Sequence, residues 1–264
     1  MATVRMPTYF LCHGGGPWPW LDGPFRRVLS RLEQGLRALP AQLPARPAAI
    51  LVVSAHWEEH DFTVTASDAP GMVYDYAGFP PETYAIRYPS PGSPALAAQV
   101  VTLLRSAGFD AGTSQTRGYD HGTYSVLQPM FPAADVPVVQ MSLRASLDPD
   151  DHLRAGAALA GLRDESVLII GSGMSCHERG PDMATASPPF DTWLNDALAQ
   201  AAPQRAKAFR GWEKAPFSRE VHPREEHLLP LMVAAGAALD EPATRFYGER
   251  LMGRIAVSSD RFGH

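Results

Sequence analysis

Val167-Leu168-Ile169-Ile170-Gly171-Ser172-Gly173-Met174-Ser175-Cys176-His177 is the stretch whose reading decides the fold class. Its four consecutive aliphatic residues leave no polar face, so they read as a strand buried on both sides and ended by a glycine turn. Thr8 to Cys12, Ala48 to Ala55, Phe62 to Ala66 and Val136 to Ser142 repeat that character, each bounded by Gly, Pro or charge. Pro94 to Ala107, Pro149 to Leu162, Pro189 to Ala201 and Pro223 to Leu239 have helical spacing instead. Each opens on proline, which suits a first helical turn because the N–H it lacks would be unpaired there anyway. This alternation predicts an α/β fold, with a central mixed sheet and helices on both of its faces. Thr244 to Tyr247 and Arg254 to Ser258 read as closing strands. The 25 prolines and 22 glycines are dispersed rather than gathered in a linker. With no repeat or low-complexity tract either, residues 1–264 are expected to form a single domain.

Composition narrows the function classes without choosing one. A chain of 264 residues that is 45% hydrophobic can bury a continuous core. Its net charge of −5 disfavours nucleic acid or an anionic membrane as the main partner, since both select basic surfaces. No apolar run reaches the roughly 20 residues needed to span a bilayer, and Tyr9 to Cys12 is too short for a signal-peptide core. A cytoplasmic protein is expected, as a monomer or small homo-oligomer. Two cysteines, Cys12 and Cys176, make no disulfide framework and read as small buried residues.

The histidines carry the chemistry. His13 follows the first strand within Cys12-His13-Gly14-Gly15-Gly16-Pro17, and His56 follows the second within Ser54-Ala55-His56-Trp57. His177 follows the Val167 strand, and His121 sits in Asp120-His121-Gly122-Thr123. In open α/β sheets the ligand crevice lies beyond the carboxyl ends of the strands, where the three that follow strands, His13, His56 and His177, would meet. If Pro223 opens a helix, His227 lies about one turn into it and looks across the same crevice. Imidazole is the commonest ligand for catalytic transition metals, so the set reads as a mononuclear metal centre. The Gly14–Gly16 run lacks both GK[ST] and GxGxxG, which leaves a tight turn that lets substrate approach the backbone. Ser172 lacks the GxSxG setting of a nucleophile. His60, His152 and His264 are expected at the surface, and His222 as a cap or a group supporting a ligand.

The ordered segments HGGGP, SAHW, YDYAGFP, YPSPGSP, DHGTY, GSGMSCH and HPREEHLLPL, spanning His13 to Leu231, resemble the class III extradiol ring-cleavage dioxygenases of the LigB superfamily. The likeness is strongest to the DOPA 4,5-dioxygenase branch. It implies a catalytic domain that opens a catechol ring with O2 at a non-haem metal, Fe(II) first and Zn(II) second. It also implies His13, His56 and His227 as metal ligands, His177 as acid/base and candidate fourth ligand, and His121 as a catalytic histidine beside the substrate. Gly15, Tyr76 and Phe79 would border the aromatic ring with His121.

Those roles make chemical sense. Dioxygen has a triplet ground state and reacts sluggishly with a catechol unless a redox-active metal with open positions relays electrons. Three neutral imidazoles leave that metal its full charge and favour an anionic catechol, whose proton a histidine can take and return near neutral pH. Two other readings use the same residues. One is a zinc hydrolase with Glu225 or Glu226 as base, although HPREEH spaces its histidines by five and is not the HExxH of zincins. The other is a non-enzymatic binding protein of the Memo type.

Overall fold

The computed structural model describes residues 4–263. Its strands are β1 (Thr8–Cys12), β2 (Ala49–Glu59), β3 (Phe62–Thr65), β4 (Ala111–Ser114), β5 (Val138–Arg144), β6 (Val167–Gly173), β7 (Ala243–Leu251) and β8 (Ile255–Phe262). They form one sheet in the order β4-β3-β5-β2-β6-β1-β8-β7. The four inner strands β5, β2, β6 and β1 are mutually parallel. On one side β8 and β7 add an antiparallel hairpin, and on the other β3 runs antiparallel to β5 with β4 parallel to it. The sheet is therefore mixed. The continuous apolar runs are the inner strands, buried along almost their whole length, as the absence of a polar face requires.

The helices are α1 (Pro24–Val28), α2 (Ser30–Ala38), α3 (Pro94–Ser106), α4 (His121–Met130), α5 (Pro149–Leu159), α6 (Met183–Leu198), α7 (Ala202–Arg210), α8 (Ser218–Val221) and α9 (Leu229–Ala237). Alternation along β6 shows that two of them cover opposite faces. A Cβ built on Gly171 would lie 2.1 Å from Pro230 O in α9, whereas the intervening Ser172 donates its hydroxyl to Gly122 O in α4.

Three local expectations are corrected, and all three concern the site. Gly171-Ser172-Gly173 is the end of β6 and not a turn. Its glycines are there because the 227–230 backbone passes directly against the strand: a Cβ on Gly173 would lie 2.2 Å from His227 O. Met174 N then donates to that same carbonyl at 3.0 Å. His56 lies inside β2 rather than after it. There the β2–β5 register slips between Val53 and Glu58, and such an irregularity re-aims side chains. Pro223 opens no helix; α9 begins at Leu229 with Pro230 in its first turn, so His227 belongs to the turn that precedes it. In addition, α6 begins at Met183 and carries Pro188 and Pro189 inside, its buried Met183, Ala186 and Phe190 outweighing the prolines.

Candidate metal centre

The carboxyl ends of the inner strands are in register, and this brings the first histidines together. Cys12 pairs with Gly173 and Ser54 with Ser172. His13 then leaves β1 with its N–H on Gly173 O at 3.1 Å. Trp18 Nε1 donates to His13 O at 2.7 Å, so this tryptophan pins the backbone of the loop. Alternation holds at this strand end: Cys12 Sγ turns away to Ser258 O, while the His13 ring enters the cluster. Both cysteines are free and buried, as expected.

His13 Nε2 lies 3.2 Å from His56 Nε2, which lies 3.3 Å from His227 Nε2. The other nitrogen of each ring faces an acceptor. His13 Nδ1 is 3.2 Å from Ser172 Oγ, whose own proton is given to Gly122 O, so the hydroxyl can only accept from the ring. His227 Nδ1 donates to Glu226 Oε1 at 2.9 Å. His56 Nδ1 lies 3.3 Å from Asp75 Oδ2. Protons thus sit on Nδ1 of His13 and His227, and the Nε2 lone pairs of both rings face Nε2 of His56 between them. Burial first, and then the neighbouring imidazoles, hold all three histidines well below the usual protonation range. Lone pairs at such distances repel unless a cation lies among them. Metal–nitrogen bonds of about 2.0–2.1 Å place adjacent ligand nitrogens about 3.0–3.4 Å apart, so the donor set fits a divalent transition metal.

The remaining predicted residues border this cluster. His121 is the first residue of α4, capped by Asp120, and its ring centroid is 3.9 Å from that of His56. Its Nδ1 donates to Asp75 Oδ2 at 2.9 Å, and its backbone N–H to Asp75 Oδ1 at 3.0 Å. One of its nitrogens lies within 4.8 Å of ligand atoms of His13 and His56, and the same holds among His177, Glu226 and His227. His177 stacks on His227 with centroids 3.6 Å apart and planes at 13°. Burial lowers its protonation range, while Glu226 and Glu178 pull the other way. Tyr76 meets His121 edge-on at 6.1 Å, Phe79 meets Tyr76 at 5.3 Å, and a Cβ on Gly16 would strike Phe79. Gly15 faces Phe25 and Arg179.

Sequence reasoning missed Asp75, the carboxylate shared by His56 and His121. Its one signal was an acidic residue between two aromatics in Tyr74-Asp75-Tyr76. Also missed was a buried network in which Ser54, Gln140 and Arg117 all donate to Asp120 while Arg117 holds His56 O. His222 is buried, with Nε2 on Ser175 O at 3.1 Å and no contact to the three-histidine cluster by hydrogen bond. His152, expected at the surface, is fully buried: Nδ1 donates to Asp148 O and Nε2 accepts from Arg144 N. His60 is exposed as expected, and His264 lies outside the described residues.

Convergent imidazoles at the strand ends of a mixed α/β sheet define the class as a metal-dependent α/β enzyme. The chain belongs to the LigB family of extradiol ring-cleaving dioxygenases: residues 21–257 match the family described as the catalytic LigB subunit of aromatic ring-opening dioxygenase. It is 36% identical to the dioxygenase tasH of Hapsidospora irregularis over 96% of this chain and 85% of that one. It is 38% identical to a 4,5-DOPA dioxygenase extradiol of Beta vulgaris, over 88% of this chain and 86% of the other. With the 4,5-DOPA dioxygenase extradiol of Escherichia coli (strain K12) the identity is 34%, over 100% and 97%. The crystal structure of an uncharacterized protein from Escherichia coli K12 superposes with a TM-score of 0.76 at 32% identity, covering 98% of this chain and 100% of that one. These likenesses favour a dioxygenase over the hydrolase and the binding-only protein. No helix among the described residues is long and apolar enough to cross a membrane.

Proposed function

We propose that this enzyme opens the ring of a catechol with O2 at an Fe(II) ion held by His13, His56 and His227. The observation that supports this reading is the pair of Nε2 contacts that join His13 and His227 to His56, with the Nδ1 atoms of His13 and His227 already committed to Ser172 and Glu226. When bound, a redox-active divalent metal supplies the electron relay between triplet dioxygen and the catechol. The chain's own residues handle position and protons. Tyr76, Phe79 and the bare Gly15 backbone border the flat ring, with His121 at its edge. His177, kept neutral by burial and fixed in plane by its stack on His227, takes the proton of one catechol hydroxyl on a ring nitrogen and returns it later. His121 Nδ1–H donates to Asp75 Oδ2, so its Nε2 is the acceptor left for the second hydroxyl. We place the reaction in the cytoplasm, where the two unpaired cysteines suit a reducing compartment, and in the breakdown of aromatic compounds.

The test is oxygen uptake. With Fe(II) and air, L-DOPA or protocatechuate is expected to give a yellow ring-opened semialdehyde, with O2 and catechol consumed in equal amounts. If a broad panel of catechols consumes no oxygen while esters or amides turn over with Zn(II), the hydrolase reading replaces this one.

A further inference from the structure

Beside the histidine cluster runs an apolar crevice that the ring itself does not need. Phe25, Leu29, Met174, Met252, Ile255 and Val257 form much of its wall, and its charged lining is Glu178 and Arg179. Arg179 stands two residues beyond His177 and reaches back over the glycine turn: a Cβ on Gly15 would lie 2.8 Å from Arg179 Nη2 and 3.3 Å from Nη1. Its charge also reaches the rings of His177 and His227, where it adds to the effect of burial. Other arginines near the cluster are committed. Arg117 is held by Asp120, Arg219 by Glu213 and Glu225, and Arg224 by Glu58. Arg179 forms no ion pair or hydrogen bond among the described residues, and it is exposed in the crevice that opens at the Gly14–Gly15 turn after His13.

We propose that Arg179 is a specificity-determining residue: its guanidinium receives the carboxylate of a catechol whose ring lies among the histidines and whose short apolar side chain lies in the crevice. The proposal rests on the ring-cleavage reading. A guanidinium presents donors in a planar fork that matches a carboxylate, and the glycine beneath it lets that fork settle against the loop that follows His13. Glu178 lines the same crevice with the opposite charge and likewise forms no ion pair among the described residues, so the preference has a direction that can be measured: anionic side chains, received by Arg179, over cationic ones that Glu178 would favour.

Three catechols with the same ring and a two-carbon stem decide it: 3-(3,4-dihydroxyphenyl)propionate, 4-ethylcatechol and 2-(3,4-dihydroxyphenyl)ethylamine. Binding is measured by calorimetry without oxygen on the metal-loaded protein, and kcat/KM by oxygen uptake. The wild type is expected to bind the propionate about tenfold to hundredfold more tightly than 4-ethylcatechol, the range for a charge-assisted hydrogen-bond pair. Arg179→Gln is expected to bring that ratio close to one, mainly through KM, and Arg179→Lys to restore part of it. A wild-type binding ratio near one, a preference for the amine, or a ratio that survives Arg179→Gln overturns the proposal. Failure to consume oxygen with any of the three counts against ring cleavage alone, because the anaerobic ratio still decides the role of Arg179.

Discussion

Each clustered imidazole is oriented through the nitrogen that does not face the cluster, and this makes single-residue effects separable. Removing a ring deletes a donor, whereas removing its partner only frees the ring to rotate. His13→Ala, His56→Ala and His227→Ala are each expected to abolish tight metal retention, as metal analysis after gel filtration would show. Asp75→Asn and Glu226→Gln are expected to weaken affinity roughly 10–100-fold without emptying the site. Full metal content in all three alanine variants would refute the ligand set. His177 has a different role and should respond differently: His177→Ala is expected to lose about 10²–10⁴ in kcat while keeping its metal. If it loses the metal as completely as His13→Ala, His177 is a fourth ligand and the proton passes to His121.

At the scale of elements, the site depends on how closely the turn before α9 approaches β6. Because a Cβ on Gly173 would meet backbone oxygen at 2.2 Å, Gly173→Ala must push the His227 segment away. It is expected to cost about 1–3 kcal/mol of stability and to weaken metal retention. Gly112→Ala on β4, where a Cβ meets nothing within 4 Å, is the control that should do neither. Urea melts and metal analysis on the two variants check both halves.

Strand β8 supplies a pH effect. Asp260 is 1% exposed, its Oδ2 has no partner, and Arg245 Nε comes no closer than 3.8 Å. Burial pushes its carboxyl up to about 7, against the pull of Arg245 and with the help of Asp191. An unfolded aspartate titrates near 4, so between about pH 4 and 7 the folded chain holds a proton that the unfolded chain has released. Stability contributed by this group therefore falls as pH rises through that window. Asp260→Asn is expected to gain on the order of 4 kcal/mol over wild type at pH 7.5 and little at pH 4. Urea melts across that range check it; a difference independent of pH would show that Asp260 does not titrate there.

For the molecule as a whole, the sheet and its two helical layers close one continuous apolar core from residues far outside the histidine cluster as well as beside it. Metal should therefore stabilise a fold that exists without it. Binding at a thousandfold excess over Kd adds about 4 kcal/mol, which for a chain of this size is roughly 10 °C in Tm. Chelation is expected to lower the melting midpoint by that amount and to leave the far-ultraviolet circular dichroism at 20 °C unchanged. A chelated protein already unfolded at 20 °C would mean that the metal is needed to assemble the sheet.

How much was legible in the sequence follows from the range of the interactions involved. Apolar runs without a polar face, such as Val167 to Ile170, announce buried strands because hydrophobic burial acts on every residue of the run. Proline at a first turn announces α3 and α5 because the missing N–H is a local property. The α/β class and the meeting of His13, His56 and His177 at the strand ends were readable on those grounds, whereas His121 came from the family resemblance and His227 was expected on a helix that does not form. The short strand β4, the helices α2, α4 and α7, and the true start of α9 were not, since each is settled by what packs against it. The same holds for the geometry that makes the cluster a candidate metal centre. Only the tertiary structure aims His56 from inside β2, brings His227 O against Gly173, and joins His56 to His121 through Asp75. Those contacts link residues distant in the chain, and no local pattern of polarity or turn chemistry encodes a distance of three ångströms between them.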